Sequence, residues 1–214
     1  LHLFTKYVKY PRTHHLPWSN GINNDVMVLE NLSTFINKEV VVTVKCDGMN
    51  ITMYNDYLHG RSLTSDSHPS QSWVKSLHGR LATDIPNDYR VCGENLYAKH
   101  SIQYKNLEDY FLMFSVWNEK NICLSWQETK EWAELLGLKT VPILYQGIWD
   151  EKLIKSLYKP FYNGDECEGY VVRVAEQFSY GQFKTHVGKL VRKGHNSMNH
   201  GWKYQKIEVN GVKK

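Results

Sequence analysis

Hydrophobic positions along this chain follow two spacings, one suited to strands and one to helices. β-branched and aromatic stretches predict strands at Glu39–Lys45, Asn50–Tyr54, Tyr57–Arg61, Arg90–Leu96, Phe111–Trp117, Val141–Tyr145, Gly169–Val174 and Val187–Val191. Three stretches carry helical spacing instead. Ser125 to Leu136 opens on a capping box of Ser125 with Glu128, stops at Gly137, and lines up Trp132, Leu135 and Leu136 as its apolar stripe. Ser72 to Thr83 sets Trp73, Leu77 and Leu81 four residues apart, and a third helix starts near Asp150 and ends at Pro160. Strands outnumber helices and often follow one another directly. That order predicts an antiparallel-rich α+β domain rather than a doubly wound sheet.

Composition narrows the class. The chain has 214 residues, 42% hydrophobic and 22% charged, enough for a sizeable core. A net charge of +4 permits nucleic acid as a partner without requiring it. No apolar run is long enough to span a bilayer and no signal-peptide pattern opens the chain, so a cytoplasmic protein with no membrane partner is expected. Cys46, Cys92, Cys123 and Cys167 are widely spaced with no C-x-x-C, which predicts free thiols rather than a zinc site or a disulfide framework. His14, His15, His78, His100, His195 and His200 fit no zinc spacing. The basic stretch from His68 to Arg80 reads as the solvated face of an amphipathic helix, with RNA contact as the alternative.

Candidate chemistry starts at Lys45, in Val44-Lys45-Cys46-Asp47-Gly48-Met49-Asn50 at the end of a β-branched run. A lysine delivered by a strand into a turn can serve as a nucleophile if its site lowers its pKa. Downstream come Gly93-Glu94-Asn95-Leu96, the aromatic strand Phe111–Trp117, Glu168-Gly169-Tyr170-Val171-Val172-Arg173, and the basic Lys189-Leu190-Val191-Arg192-Lys193. Taken singly, each has a plain structural reading: turn carboxylates, core aromatics, a solvated edge strand.

Their order resembles the nucleotidyltransferase motifs of covalent ligases and messenger-RNA capping enzymes, over roughly Lys38 to Lys193. Asn50 and the segments Lys9–Trp18 and Gly93–Ser101 resemble the bacterial and phage group of ATP-dependent RNA ligases. The resemblance implies one nucleotidyltransferase (adenylyltransferase) domain over 1–214, with 1–37 as an N-terminal extension, 194–214 as a basic tail and no separate C-terminal domain. It implies ATP and Mg²⁺ or Mn²⁺ as cofactors. The implied partner is RNA with 5′-phosphate and 3′-hydroxyl ends, in a bacterial or phage-infected cell, and a monomer is compatible with it.

The implied roles follow residue by residue. Lys45 is the nucleophile that becomes lysyl–AMP. Glu94 accepts from the ribose, and Phe114 stacks on adenine, with Phe111 as core or an alternative stacking partner. Arg61 binds the ribose or the incoming 5′-phosphate, and Asn50 belongs to the nucleotide site. Glu168 holds the metal with Asp47 in its outer shell. Lys189 contacts the α-phosphate and lowers the pKa of Lys45, with Arg192 or Lys193 beside it. Two positions depart from the pattern. Val44 stands where many relatives have an acid, and Lys189-x-x-Arg192-Lys193 replaces Lys-x-Lys. RNA would be held by the core, by the basic segment Lys203 to Lys214, or by another chain. The alternatives are a capping-type guanylyltransferase, a DNA ligase, or a non-catalytic RNA-binding module.

Overall fold

The computed structural model describes residues 6–20, 27–63, 68–194 and 206–213. The strands are β1 (His14–His15), β2 (Glu39–Lys45), β3 (Met49–Met53), β4 (Leu58–His59), β5 (Arg90–Asn95), β6 (Phe111–Trp117), β7 (Ile122–Cys123), β8 (Lys139–Thr140), β9 (Ile143–Ile148), β10 (Phe161–Tyr162), β11 (Asp165–Glu166), β12 (Gly169–Val174), β13 (Phe178–Ser179) and β14 (Val187–Val191). The helices are α1 (Ser72–Leu81), α2 (Trp126–Leu135), α3 (Glu151–Ser156) and α4 (Phe183–His186).

Two mostly antiparallel sheets carry the fold, which makes the class α+β. One runs in the order β1-β14-β12-β2-β9; the other runs β13-β7-β6-β5-β3-β4, with β8 added parallel to β6. Strand β2 lies between β12 and β9, and every residue from Val40 to Val44 is buried. Its valines feed two separate apolar clusters: Val40 and Val42 pack with Tyr170, Val172 and Leu190, while Val41 and Val44 pack with Leu96, Leu112 and Trp126. A strand covered on both faces needs an unbroken apolar run, and β-branched side chains suit it.

The predicted helices form, with one change of face. Ser125 caps α2 and both halves of the capping box are present. The expected stripe is wrong in part: Leu135 is 72% exposed, and the helix buries Trp126, Thr129 and Ala133, with Leu136 at its end. In α1 the buried residues are Val74, Leu77 and Leu81, with Trp73 only partly covered.

Both ends of the described chain pack onto this frame. Residues 6–20 run from the β3–β4 hairpin to the edge strand β1, which pairs parallel with β14. Residues 206–213 lie along 97–107 through bridges Ala98↔Val209 and Leu107↔Val212. Asn210, 2% exposed, donates to the Leu96 carbonyl and accepts from the Tyr104 amide. His195, His200 and Lys203 lie outside the described residues.

Candidate active site

The turn after Lys45 does not close a hairpin. Strands β2 and β3 belong to different sheets, so Cys46-Asp47-Gly48 carries the chain from one to the other, and the site forms at that crossing. Two glycines let the backbones approach there. A Cβ on Gly48 would lie 2.5 Å from the Asn95 carbonyl oxygen, and one on Gly169 would lie 1.9 Å from that of Leu190.

Register brings the acids in. Gly169 pairs with Lys45 across β12 and β2, which places the preceding Glu168 against the lysine. Lys45 Nζ donates to Glu168 Oε1 at 2.5 Å, with the side chains 24% and 2% exposed. On the other sheet, β5 has a bulge between Cys92 and Gly93, immediately before Glu94. Bulges commonly re-aim a side chain beside a site. Glu94 Oε1 accepts from the Gly48 amide at 3.2 Å. The Asp47 carboxylate serves the loop: its Oδ2 accepts from Ser101 N at 2.8 Å, Ser101 Oγ at 2.6 Å and Ile102 N at 2.8 Å. The Asp47 amide donates to Tyr104 Oη.

The electrostatics reverse one expectation. Burial disfavours the charge on Lys45, but Glu168, Glu94 and Asp47 outweigh it and hold the amine above the usual lysine range. Burial, against the pull of Lys45, lifts Glu94 to about 8, with Glu168 and Asp47 adding repulsion. Lys189 falls to about 8, through burial first and then the positive charges of Lys45, Arg61 and Arg12, while Glu168 opposes the fall.

The remaining predicted residues fall into two groups. Asn50 pairs with Glu94 across β3 and β5, and its Oδ1 is buried with no hydrogen-bond partner among the described residues. Phe114 is the one partly open side chain of β6, whereas Phe111 is fully buried core. Arg61 follows β4 and is exposed. Lys189 is half-buried on β14, and Arg61 enters its electrostatics. Arg192 instead pairs with Glu166 at 2.6 Å, and Lys193 is exposed beyond the end of β14.

Sequence reasoning did not single out Tyr10 and Arg12 individually. Tyr10 packs edge-on against Phe114, with ring centroids 5.2 Å apart, and burial raises its hydroxyl well above the usual range. Arg12 enters the electrostatics of both Lys189 and Arg61. All four cysteines are buried free thiols. No trio of His, Cys, Asp or Glu could cage a metal among the described residues. Glu168 and Asp47 offer carboxylate oxygens, the donor type that hard divalent ions prefer.

A family model described as RNA ligase matches residues 38–191. Among solved structures, Naegleria gruberi RNA ligase with PPi is 20% identical at a TM-score of 0.58, over 88% of this chain and 56% of that one. A lysine-to-alanine mutant of the same ligase with ATP and Mn is 19% identical at 0.58, over 88% and 57%. A lysine-to-methionine mutant with AMP and Mn is 19% identical at 0.58, over 88% and 56%. This chain thus spans little more than half the length of those ligase chains. No curated protein sequence matches it.

Proposed function

Because this chain belongs to the RNA ligase family, we propose that it is an ATP-dependent RNA ligase joining 5′-phosphate and 3′-hydroxyl ends, with Lys45 as its nucleophile. One observation carries the reading: the Lys45 amine sits on the Glu168 carboxylate at 2.5 Å, in a cleft that also holds Glu94 and Asp47.

Three displacements at phosphorus account for the reaction. The Lys45 nitrogen bonds to the α-phosphorus of ATP while the bond to pyrophosphate breaks, and the amine gives up a proton. An RNA 5′-phosphate oxygen then attacks that phosphorus and displaces Lys45, which regains a proton. The RNA 3′-hydroxyl finally attacks the activated 5′-phosphorus and releases AMP. Alignment and charge neutralisation do most of the work in such steps.

Each neighbour has a task in this scheme. Glu168 fixes the amine and accepts its hydrogen bond. Glu94 and the Asn50 Oδ1, unpartnered among the described residues, accept from ribose hydroxyls. Phe114, backed by Tyr10, offers a ring face to adenine. Lys189 and Arg61 neutralise phosphate oxygens. Glu168 would hold a bound Mg²⁺ or Mn²⁺, with Asp47 in its outer shell, and the ion would supply positive charge to the phosphates.

Mass spectrometry after incubation with ATP and Mg²⁺ tests the reading. The chain should gain one AMP, and Lys45→Ala should abolish the gain. A gain from GTP but not ATP would favour the capping-type alternative, and no adduct with either nucleotide would favour a binding module.

A further inference from the structure

RNA that reaches the cleft must first cross the surface beside it, and the start of α1 is docked at the cleft's edge. Asn95 Nδ2 donates to the Ser70 carbonyl at 3.4 Å, and Gln71 Nε2 donates to Met49 Sδ at 3.2 Å. Met49 and Asn95 pair with each other across β3 and β5, next to the pair of Asn50 with Glu94. Trp73 follows Gln71 by two residues, in the first turn of α1.

Two tyrosines meet Trp73 there. Its ring lies within 7° of parallel to that of Tyr97, with centroids 6.3 Å apart. Tyr110 stands nearly perpendicular to both, 5.3 Å from Trp73 and 5.2 Å from Tyr97. All three side chains are partly exposed. The C-terminal segment fixes the tyrosines. Tyr110 Oη donates to the Asn210 carbonyl, and the Asn210 amide donates to the Tyr97 carbonyl, each at 3.0 Å. The aromatic corner is therefore set before a ligand arrives, which spares the cost of ordering it. A flat ring laid parallel to Trp73 is parallel to Tyr97 as well, and a nucleobase is such a ring.

Charge points to the same ligand. α1 carries Lys75, His78 and Arg80 and no acid. Arg80 follows Trp73 by seven residues, which places both on one helix face, about 10 Å apart along the axis. Arg80 is exposed, and it has no ion pair or side-chain hydrogen bond among the described residues. Aromatic faces for bases beside a cation for the backbone are the pattern that holds single-stranded nucleic acid. Bases inside an unbroken duplex are stacked on one another and offer no free face, whereas unpaired bases can be splayed onto aromatic rings.

We propose that Trp73, Tyr97 and Tyr110 form a stacking site for an unpaired base of the RNA substrate, with Arg80 on a neighbouring phosphate. The site selects ends carried on single-stranded RNA over a nick in a continuous duplex. The inference rests on the ligase reading for its RNA, and binding measured without ATP keeps the two separable.

Fluorescence anisotropy on the full chain would compare a 5′-phosphorylated single strand with a fully paired nicked duplex of the same sequence. The single strand should bind more tightly. Trp73→Leu keeps an apolar side chain and removes the ring. It should weaken the single strand by at least about tenfold and the duplex by no more than about twofold. Tyr97→Leu should act in the same direction, and Arg80→Ala should lower the salt dependence of binding by about one counterion. Strands with a single abasic nucleotide, moved stepwise from the 5′ end, should reveal a position where the parent loses affinity and Trp73→Leu loses no more. A purely packing role for the rings would not produce that position. Thermal melting accompanies each variant. If Trp73→Leu fails to fold, Tyr97→Leu and the abasic series on the parent decide. Parent-like RNA binding by the folded ring variants, an abasic series with no sensitive position, or equal affinity for strand and duplex would overturn the proposal. If the parent forms no lysyl–AMP yet binds single-stranded RNA through Trp73, the ligase reading fails and the stacking site stands.

Discussion

An amine that attacks phosphorus must first shed its proton, and three carboxylates around Lys45 keep that proton on. The strength of the pair with Glu168 therefore fixes the amine's position at the expense of its reactivity. Glu94 shows the same crowding from the other partner's side. Its carboxyl titrates near 8, far above the range of an exposed glutamate, chiefly because it is buried. An acid whose folded-state pKa is raised binds more protons folded than unfolded between the two values, so its contribution to stability becomes less favourable as pH rises through that window. Glu94→Gln should consequently be more stable than the parent at pH 8, by about 2–4 kcal/mol, and the difference should shrink towards pH 5. The glutamine oxygen can still accept from the Gly48 amide, so the loop should survive. Scanning calorimetry at the two pH values checks this, and a difference that is equal or larger at pH 5 would contradict the sign. Lys45, Glu94, Asp47 and Glu168 were legible in the sequence because each sits in a short motif next to a glycine or at a strand end. Arg12 was legible only as part of a longer segment. Its position depends on anchors at Tyr54, Phe114 and Tyr170, which no local pattern reveals.

Among the elements, those with a dense β-branched or aromatic run matched their sequence boundaries: β2, β6, β12 and β14. The two-residue strands β1, β7 and β8 carry no such signal, because their pairing is imposed by the longer strands β14 and β6 beside them, and β10, β11 and β13 pair with strands as short as themselves. Leu135 shows the limit of reading a helix face from side-chain type alone. A large apolar residue in the last turn of α2 points to solvent, while Thr129 is fully buried and donates to the Ser125 carbonyl. The junction of β12 with β14 matters most for chemistry, since Glu168 leads into β12 while Lys189 lies on β14, opposite Val171. Gly169 lets those strands close, and a methyl group there would overlap the Leu190 carbonyl. Gly169→Ala should cost about 2–3 kcal/mol of stability as the strands part. Displacing the acid and the cation by as little as ~1 Å should also slow lysyl–AMP formation by about 100-fold. Urea unfolding and adduct formation measured on the same variant test both; full adenylation with ordinary stability would mean that the strands can close without the glycine.

At the scale of the molecule, the site lies between two sheets that are joined at Cys46-Asp47-Gly48, and distant parts of the chain hold that junction in place. Sequence periodicity could announce strands, but it could not assign them to two sheets, because partners such as β2 and β12 are more than a hundred residues apart. Nor could it announce that residues 206–213 pack along 97–107. That segment looked basic and irregular, yet Asn210 is among the most buried polar residues described. It bonds to Leu96 and to the amide of Tyr104, whose hydroxyl accepts from the Asp47 amide. A chain of bonds thus runs from the C-terminal segment to the residue two places after Lys45. Asn210→Ala leaves the Tyr104 amide and the Leu96 carbonyl without their partner, which should cost about 2–3 kcal/mol. If the segment braces the Asp47 turn, the variant should also adenylate more slowly at saturating ATP, at a temperature well below its melting point. If it only adds stability, the melting point should fall while the rate stays level. Rates compared at matched folded fractions distinguish these outcomes, and we expect the rate to drop, because Tyr104 is oriented from both of its ends and loses one of them.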